Sequence, residues 1–282
     1  MNQKPWGFLL SKAINGFLQF KTAEGLSPNT IDSYRCILEL WMERQTDINI
    51  TKVTSKDIRD YLNYMRLEYT PRRITGGNER KLSSKSIRNI YVAFKAFFRW
   101  AKDEFHIPSP MDNFPTPRYT SPEIIPFTKE EVEKLLKACD LCDEAQTDRR
   151  RKFTMRRATA YRDRAIILVL LDTGLRASEL CSLHVEDVDL KSGKVAVRHG
   201  VGGGAKGGKG QTVFLGKTAR KALWRYLVDR EDGDFPAAPL FTNKSERRLN
   251  KDALRQVINA LGAKAGIKHC YPHRFRHTFA IT

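Results

Sequence analysis

The sequence predicts a mainly α-helical protein with one small β-hairpin, built as two domains. Three observations predict this. Apolar residues recur at three- and four-residue spacing along most of the 282-residue chain. Strand-like alternation is confined to one stretch, Val188 to Leu215. Six prolines fall between Ile107 and Pro126, a density no helix interior tolerates. That stretch therefore reads as a linker, 108–126, between a helical domain of residues 1–107 and a second domain of residues 127–282.

The elements follow in order. Trp6 to Phe20 is apolar but interrupted by Ser11, Lys12, Asn15 and Gln19, the pattern of an amphipathic helix rather than a signal peptide. Ser27-Pro28-Asn29-Thr30 is a helix start, followed by Ile31, Tyr34, Ile37, Leu38 and Trp41 at helical spacing. Thr54 to Asp57 starts another, with Ile58, Tyr61, Leu62 and Met65 on its inner face. After a polar loop, Pro71 to Arg80, Ser83 or Ser84 caps a helix bearing Ile87, Ile90, Tyr91, Phe94, Phe97, Phe98 and Ala101. That stripe reads as core rather than as a base-stacking platform. Lys85, Arg88, Lys95 and Arg99 stand beside it and are expected to face phosphates.

In the second domain, Thr128-Lys129-Glu130-Glu131 matches a capping box. Arg149 to Lys152, with Arg156 and Arg157, forms a basic run that reads equally as a nucleic-acid-touching insertion or a solvated loop. Asp163 to Leu171 is a buried helix ending at Gly174, and Arg176 to Leu183 a short second one. Val188–Leu190, a turn at Lys191–Gly193 and Val195–Val197 make a hairpin pattern. A glycine-rich loop follows, then a third strand, Gln211 to Leu215. Thr218–Val228, Lys251–Ala263 and Pro272 onward return to helix.

Lys and Arg number 50 against 32 Asp and Glu, a net charge of +18. Residues 1–118 hold 19 basic and 12 acidic side chains, and residues 119–282 hold 31 and 20. Two basic halves suggest a polyanion held by both, with DNA or RNA the first candidate. No stretch approaches the length of a membrane span. Five scattered cysteines fit a reducing cytoplasm. Cys139-Asp-Leu-Cys142 lacks the second pair a zinc site needs and reads as ordinary thiols.

Four segments could carry chemistry. Gly203 to Lys209 begins like a nucleotide-binding loop, but Gly210 stands where a magnesium-holding Ser or Thr belongs, and the loop joins strands rather than feeding a helix. No nucleotide is expected; the loop instead carries Lys206 and Lys209 toward an anion. His273 and His277 have a metal-ligand spacing, yet Arg274 occupies the position where a zinc hydrolase needs Glu, so no metal is expected. His273 and Arg276 share a helix face, a pairing of a titratable and a permanent cation that suits a reacting phosphate. Arg176 follows a helix break, with Glu179 as its partner one turn on. The carboxylates Glu186, Asp187 and Asp189 cluster at the base of the hairpin, the one group near these segments that a metal-dependent nuclease would use.

Thr173-Gly-Leu-Arg-Ala-Ser-Glu-Leu180, a hairpin lysine and His273-Arg-Phe-Arg-His277 occur in this order over about a hundred residues. In this the chain resembles the tyrosine recombinases, the phage integrase and Xer-type family. Leu26 to Tyr34 and Ser84 to Ala101 resemble the family's helical core-binding domain. The resemblance implies an N-terminal SAM-like DNA-binding domain and a mixed α/β catalytic domain acting in the cytoplasm on duplex DNA. It implies site-specific strand cleavage and rejoining through a 3′-phosphotyrosine, by a homotetramer on paired sites, with no cofactor. Arg176, Lys206, His273 and Arg276 match the catalytic positions, with Lys209 the alternative to Lys206. Lys209 and His277 join the helix cations as expected DNA contacts. The family's nucleophilic tyrosine finds no match and should lie C-terminal to Thr282, so this chain alone is expected to bind DNA without cleaving it. The alternative is a regulator that binds nucleic acid and does no chemistry.

Overall fold

Ser27, Thr54 and Ser83 are extended residues whose hydroxyls accept the backbone N–H three residues on, and each starts a helix. Such a cap contributes about 1 kcal/mol. In a computed structural model, residues 9–72, 79–121, 123–140, 145–147, 150–153, 157–198, 210–230 and 232–281 are described, 145–147 and 150–153 by their backbone alone. The chain forms two units, Met1–Pro122 and Glu123–Thr282.

The first unit holds α1 (Leu10–Ala23), α2 (Pro28–Met42), α3 (Ser55–Leu67) and α4 (Ser84–Phe105). The expected stripe on α4 is core: Phe94, Phe97, Phe98 and Ala101 are buried, and Trp41 of α2 packs on Phe94 at 4.8 Å between ring centres. Burying each such side chain is worth roughly 1.5–3 kcal/mol.

The second unit holds α5 (Lys129–Asp140), β1 (Ala145–Thr147), β2 (Arg150–Phe153), α6 (Ala160–Thr173), α7 (Ala177–Ser182), β3 (Lys194–Val197), β4 (Gln211–Phe214), α8 (Lys217–Val228), α9 (Lys251–Lys264) and α10 (Pro272–Ile281). Helix α6 is the hub. Ala165 to Leu170 are all buried because α5, α8 and α10 cover it on several sides, so it lacks a polar face. The capping box at Thr128 and Glu131 forms in both directions, at 3.0 and 3.2 Å.

Two expectations change. Val188–Leu190 is not a strand: a 3₁₀ turn, Val185–Asp187, precedes it, and only Val188 bridges to Val195. The reason is local, because Asp189 turns its carboxylate onto the N–H of Lys191 and the hydroxyl of Ser192, tightening the turn. The hairpin is therefore β3 and β4, antiparallel from Lys194↔Phe214 to Val197↔Gln211. The second change is a separate antiparallel pair of strands, β1–β2, of which β2 falls in the basic run and β1 just before it. Charged residues there hide any alternation. Arg157, at the end of that run, is structural: it bonds at 2.9 Å to the fully buried carboxylate of Asp163, which Arg162 and Thr159 also hold. Among the described residues, no helix is long and apolar enough to cross a membrane.

Candidate active site

Gly174 ends α6 in the left-handed conformation, at φ +58°, which a side chain disfavours. The chain reverses there, buries Leu175, and presents Arg176 as the residue before α7. Glu179, one turn into α7 and fully buried, accepts the backbone N–H of Arg176 at 2.7 Å and a guanidinium nitrogen at 2.6 Å. Arg276 reaches in from α10. Its Nη1 donates to the carbonyl of Gly174 at 2.9 Å and stands 4.0 Å from Glu179 Oε2. Two guanidiniums from helices a hundred residues apart thus meet over one buried carboxylate. Both remain partly open, with side chains 41% and 36% exposed. Their remaining N–H groups form a fork suited to the non-bridging oxygens of a phosphate.

His273, one turn before Arg276, is exposed, and its Nε2 lies 3.1 Å from Nε2 of His277 with the rings perpendicular. Of the sequence-predicted residues, Arg176 and Arg276 therefore meet at the Gly174 end of α6, and His273 stands one turn before Arg276 on α10. Asp172 accepts the N–H of Gly216 at 2.6 Å, which pins the turn between β4 and α8 two residues before Gly174. Lys206 and Lys209 belong to the loop that β3 and β4 close, and lie outside the described residues. In the first unit, Lys85, Arg88, Lys95 and Arg99 are all exposed along α4.

Arg274 has a role that the sequence did not disclose. It lies between His273 and Arg276 in the chain but is buried on the opposite side. It donates to the carbonyls of Ile125, Lys268 and Pro126 and to Glu131 at 2.7 Å, and it covers the ring of Phe127. Together with the bond from the Phe127 N–H to Thr278 at 2.9 Å, it fastens α10 to the start of the second unit. Only the coincidence of an arginine inside the histidine box with Glu131 in the capping box hinted at this. The Glu186 and Asp187 carboxylates pair with Arg198 at 3.0 and 2.5 Å. Among the described residues, no group of His, Cys, Asp or Glu is arranged to hold a metal ion.

Comparison with known proteins identifies the family. Residues 126–282 match the phage integrase family, and residues 14–105 match the phage integrase N-terminal SAM-like domain. The chain is 28% identical to tyrosine recombinase XerA of Pyrococcus furiosus over 274 residues, 96% of this chain and 80% of that protein. It is 29% identical to tyrosine recombinase XerC of Yersinia pestis over 276 residues, 96% and 80% of the two chains. In fold it is similar to a Tn1549 transposon integrase solved with transposon right end DNA, with a TM-score of 0.71, 20% identity, and 96% and 85% of the chains covered. A lambda integrase tetramer bound to a Holliday junction superposes at a TM-score of 0.67, with 16% identity and coverage of 97% and 72%. Two family models matched in the right order, the second over more than half the chain and across the paired arginines, establish that this chain belongs to the phage integrase family of tyrosine recombinases.

Proposed function

We propose that this protein is a site-specific DNA recombinase whose Arg176 and Arg276 grip the scissile phosphate. The observation that supports this best is the meeting of the two guanidiniums over buried Glu179, with His273 one turn away. In the reaction a tyrosine oxygen attacks phosphorus, the bond to the 5′-oxygen breaks, and a 3′-phosphotyrosine forms. His273 takes the tyrosine proton and Lys206 gives one to the departing 5′-oxygen. The arginines stabilise charge gathering on the non-bridging oxygens. Attack by a 5′-hydroxyl reverses each step, so the ester bond energy is conserved and rejoining needs no nucleotide. Lys85, Arg88, Lys95, Arg99, Lys209 and His277 contact the surrounding DNA, and paired sites are brought together by four subunits.

A polypeptide of residues 1–282 is expected to bind DNA without forming a covalent adduct, because no tyrosine within it matches the family's nucleophile. None of the described tyrosines in the second unit matches the family's nucleophile by position. Tyr226 is buried and bonded to Thr242. Tyr161 lies 13 residues before Gly174 on α6, about 20 Å along the helix. Tyr271 precedes the histidine box. The test is selection of a duplex from a random library, followed by incubation with its nicked form and a denaturing gel. Binding without an adduct is expected. A chain given a C-terminal tyrosine segment from a relative is expected to form one, and to lose it on Arg176→Lys. An adduct on Tyr161, Tyr226 or Tyr271 would overturn the assignment.

A further inference from the structure

We infer that Phe279 is a positioning residue for the phosphate-binding pair, acting by packing on the bare α-carbon of Gly174. This rests on the reading of Arg176 and Arg276 as phosphate ligands. Three constraints converge on Gly174. Its backbone is left-handed, at φ +58°. Its carbonyl accepts Arg276 Nη1 at 2.9 Å. The third is steric: a methyl group built on it would collide with Phe279, meeting Cδ1, Cγ at 2.9 Å and Cβ at 3.2 Å.

The ring therefore sits where any other residue's side chain would begin. Because Phe279 Cγ, at 2.9 Å, stays in place when the ring turns about its own axis, ring rotation alone does not relieve the collision; the Phe279 side chain or α10 itself must shift away from α6. Arg276 and Phe279 lie three residues apart on α10, so they share a face and move together. Arg176 follows Gly174 by two residues, on the other side of the contact. The packing thus sets the separation of the two guanidiniums. A shift of well under 1 Å already degrades forked hydrogen bonding. Phe279 is 46% exposed, so an apolar ring is held half in water at this contact rather than in the core.

The test uses the 282-residue chain and its selected duplex, with single methylphosphonates, which are uncharged, placed at successive positions. Wild type is expected to lose roughly ten-fold in affinity at one position, the phosphate gripped by the arginines. Arg276→Ala should bind more weakly and show no further loss there. Gly174→Ala should likewise lose that position's sensitivity while keeping it at the other phosphates. Phe279→Ala leaves the glycine intact, is expected to fold, and should reduce the sensitivity several-fold. In Gly174→Ala/Phe279→Ala part of the sensitivity should return, because the ring collision is gone. Full sensitivity in both single variants would overturn the inference, as would a double variant no better than Gly174→Ala. A wild type with no sensitive position would instead defeat the phosphate-pair reading itself.

Discussion

Glu179 holds Arg176 twice, at the backbone nitrogen and at the guanidinium, 2.7 and 2.6 Å from its two carboxylate oxygens. The first bond caps α7 and the second aims the side chain. One buried carboxylate therefore fixes both where Arg176 starts and where it points. Its distance of 4.0 Å to Arg276 draws the second cation to the same place. Without that carboxylate, two guanidiniums on facing helices would repel.

Glu179→Gln keeps an oxygen for the Arg176 N–H but removes the charge. The variant should lose about 1–3 kcal/mol of stability, the usual cost of leaving a charged partner unsatisfied in a buried site. Calorimetry of the whole chain should show the loss in one of its transitions. A variant melting with wild type would mean that the two arginines need no brace.

Arg176→Lys and Arg276→Lys keep the charge and lose the fork. Lysine at 276 cannot hold the Gly174 carbonyl and a phosphate oxygen in one rigid geometry. In a version carrying an added C-terminal tyrosine segment from a relative, either change should lower the rate of covalent attachment by roughly a hundred-fold or more. DNA affinity measured by anisotropy should change by less than ten-fold. Equal losses in rate and affinity would point to charge alone. Lys206→Ala should slow attachment more than Lys209→Ala; the reverse order would reassign the general acid.

Arg274→Met removes a cation bonded to three carbonyls and to Glu131. The expected cost is about 2–3 kcal/mol, below that for a fully enclosed pair because Glu131 is 26% exposed. Hydrogen exchange should speed up in α10 and in residues 125–131 together. Acceleration in only one of them would show that the arginine does not join the two.

Thiol reactivity should separate the cysteines sharply. Burial pushes the Cys139 thiol up to about 12, and Cys181 and Cys270 to about 11. Since only the thiolate reacts, these groups are ionised at pH 8 to roughly one part in a thousand or less. Cys36 is exposed. Brief alkylation at pH 8 followed by peptide mapping should modify Cys36 and spare Cys139, Cys181 and Cys270. Raising the pH toward 10 should increase their labelling, in the direction of thiolate formation. Early labelling of Cys139 would mean that α5 opens readily.

DNA affinity should fall steeply with salt, since each neutralised phosphate releases counterions. Reversing charge at Lys95 and Arg99, exposed on α4, should lessen the slope of log K against log salt by roughly 2. An unchanged slope would remove α4 from the interface.

Much of this protein was legible in its sequence because the deciding forces there are local. Hydroxyl caps at Ser27, Thr54 and Ser83, the Thr128–Glu131 box and the glycine ending α6 act within one helical turn, so their spacing alone fixed those helices. The three-residue interval between His273 and Arg276 likewise placed both on one face. The tertiary structure decided what spacing cannot express. It turned Arg274 inward while His273 is exposed and Arg276 stays partly open, because the partners of Arg274 at Ile125, Pro126 and Glu131 lie more than 140 residues away in the chain. It replaced an expected strand at Val188–Leu190 with a tight turn, and it set Phe279 on Gly174. Above all, it brought Arg176 and Arg276 to one carboxylate, a meeting that depends on how α6, α7 and α10 pack and on a buried charge that must be shared.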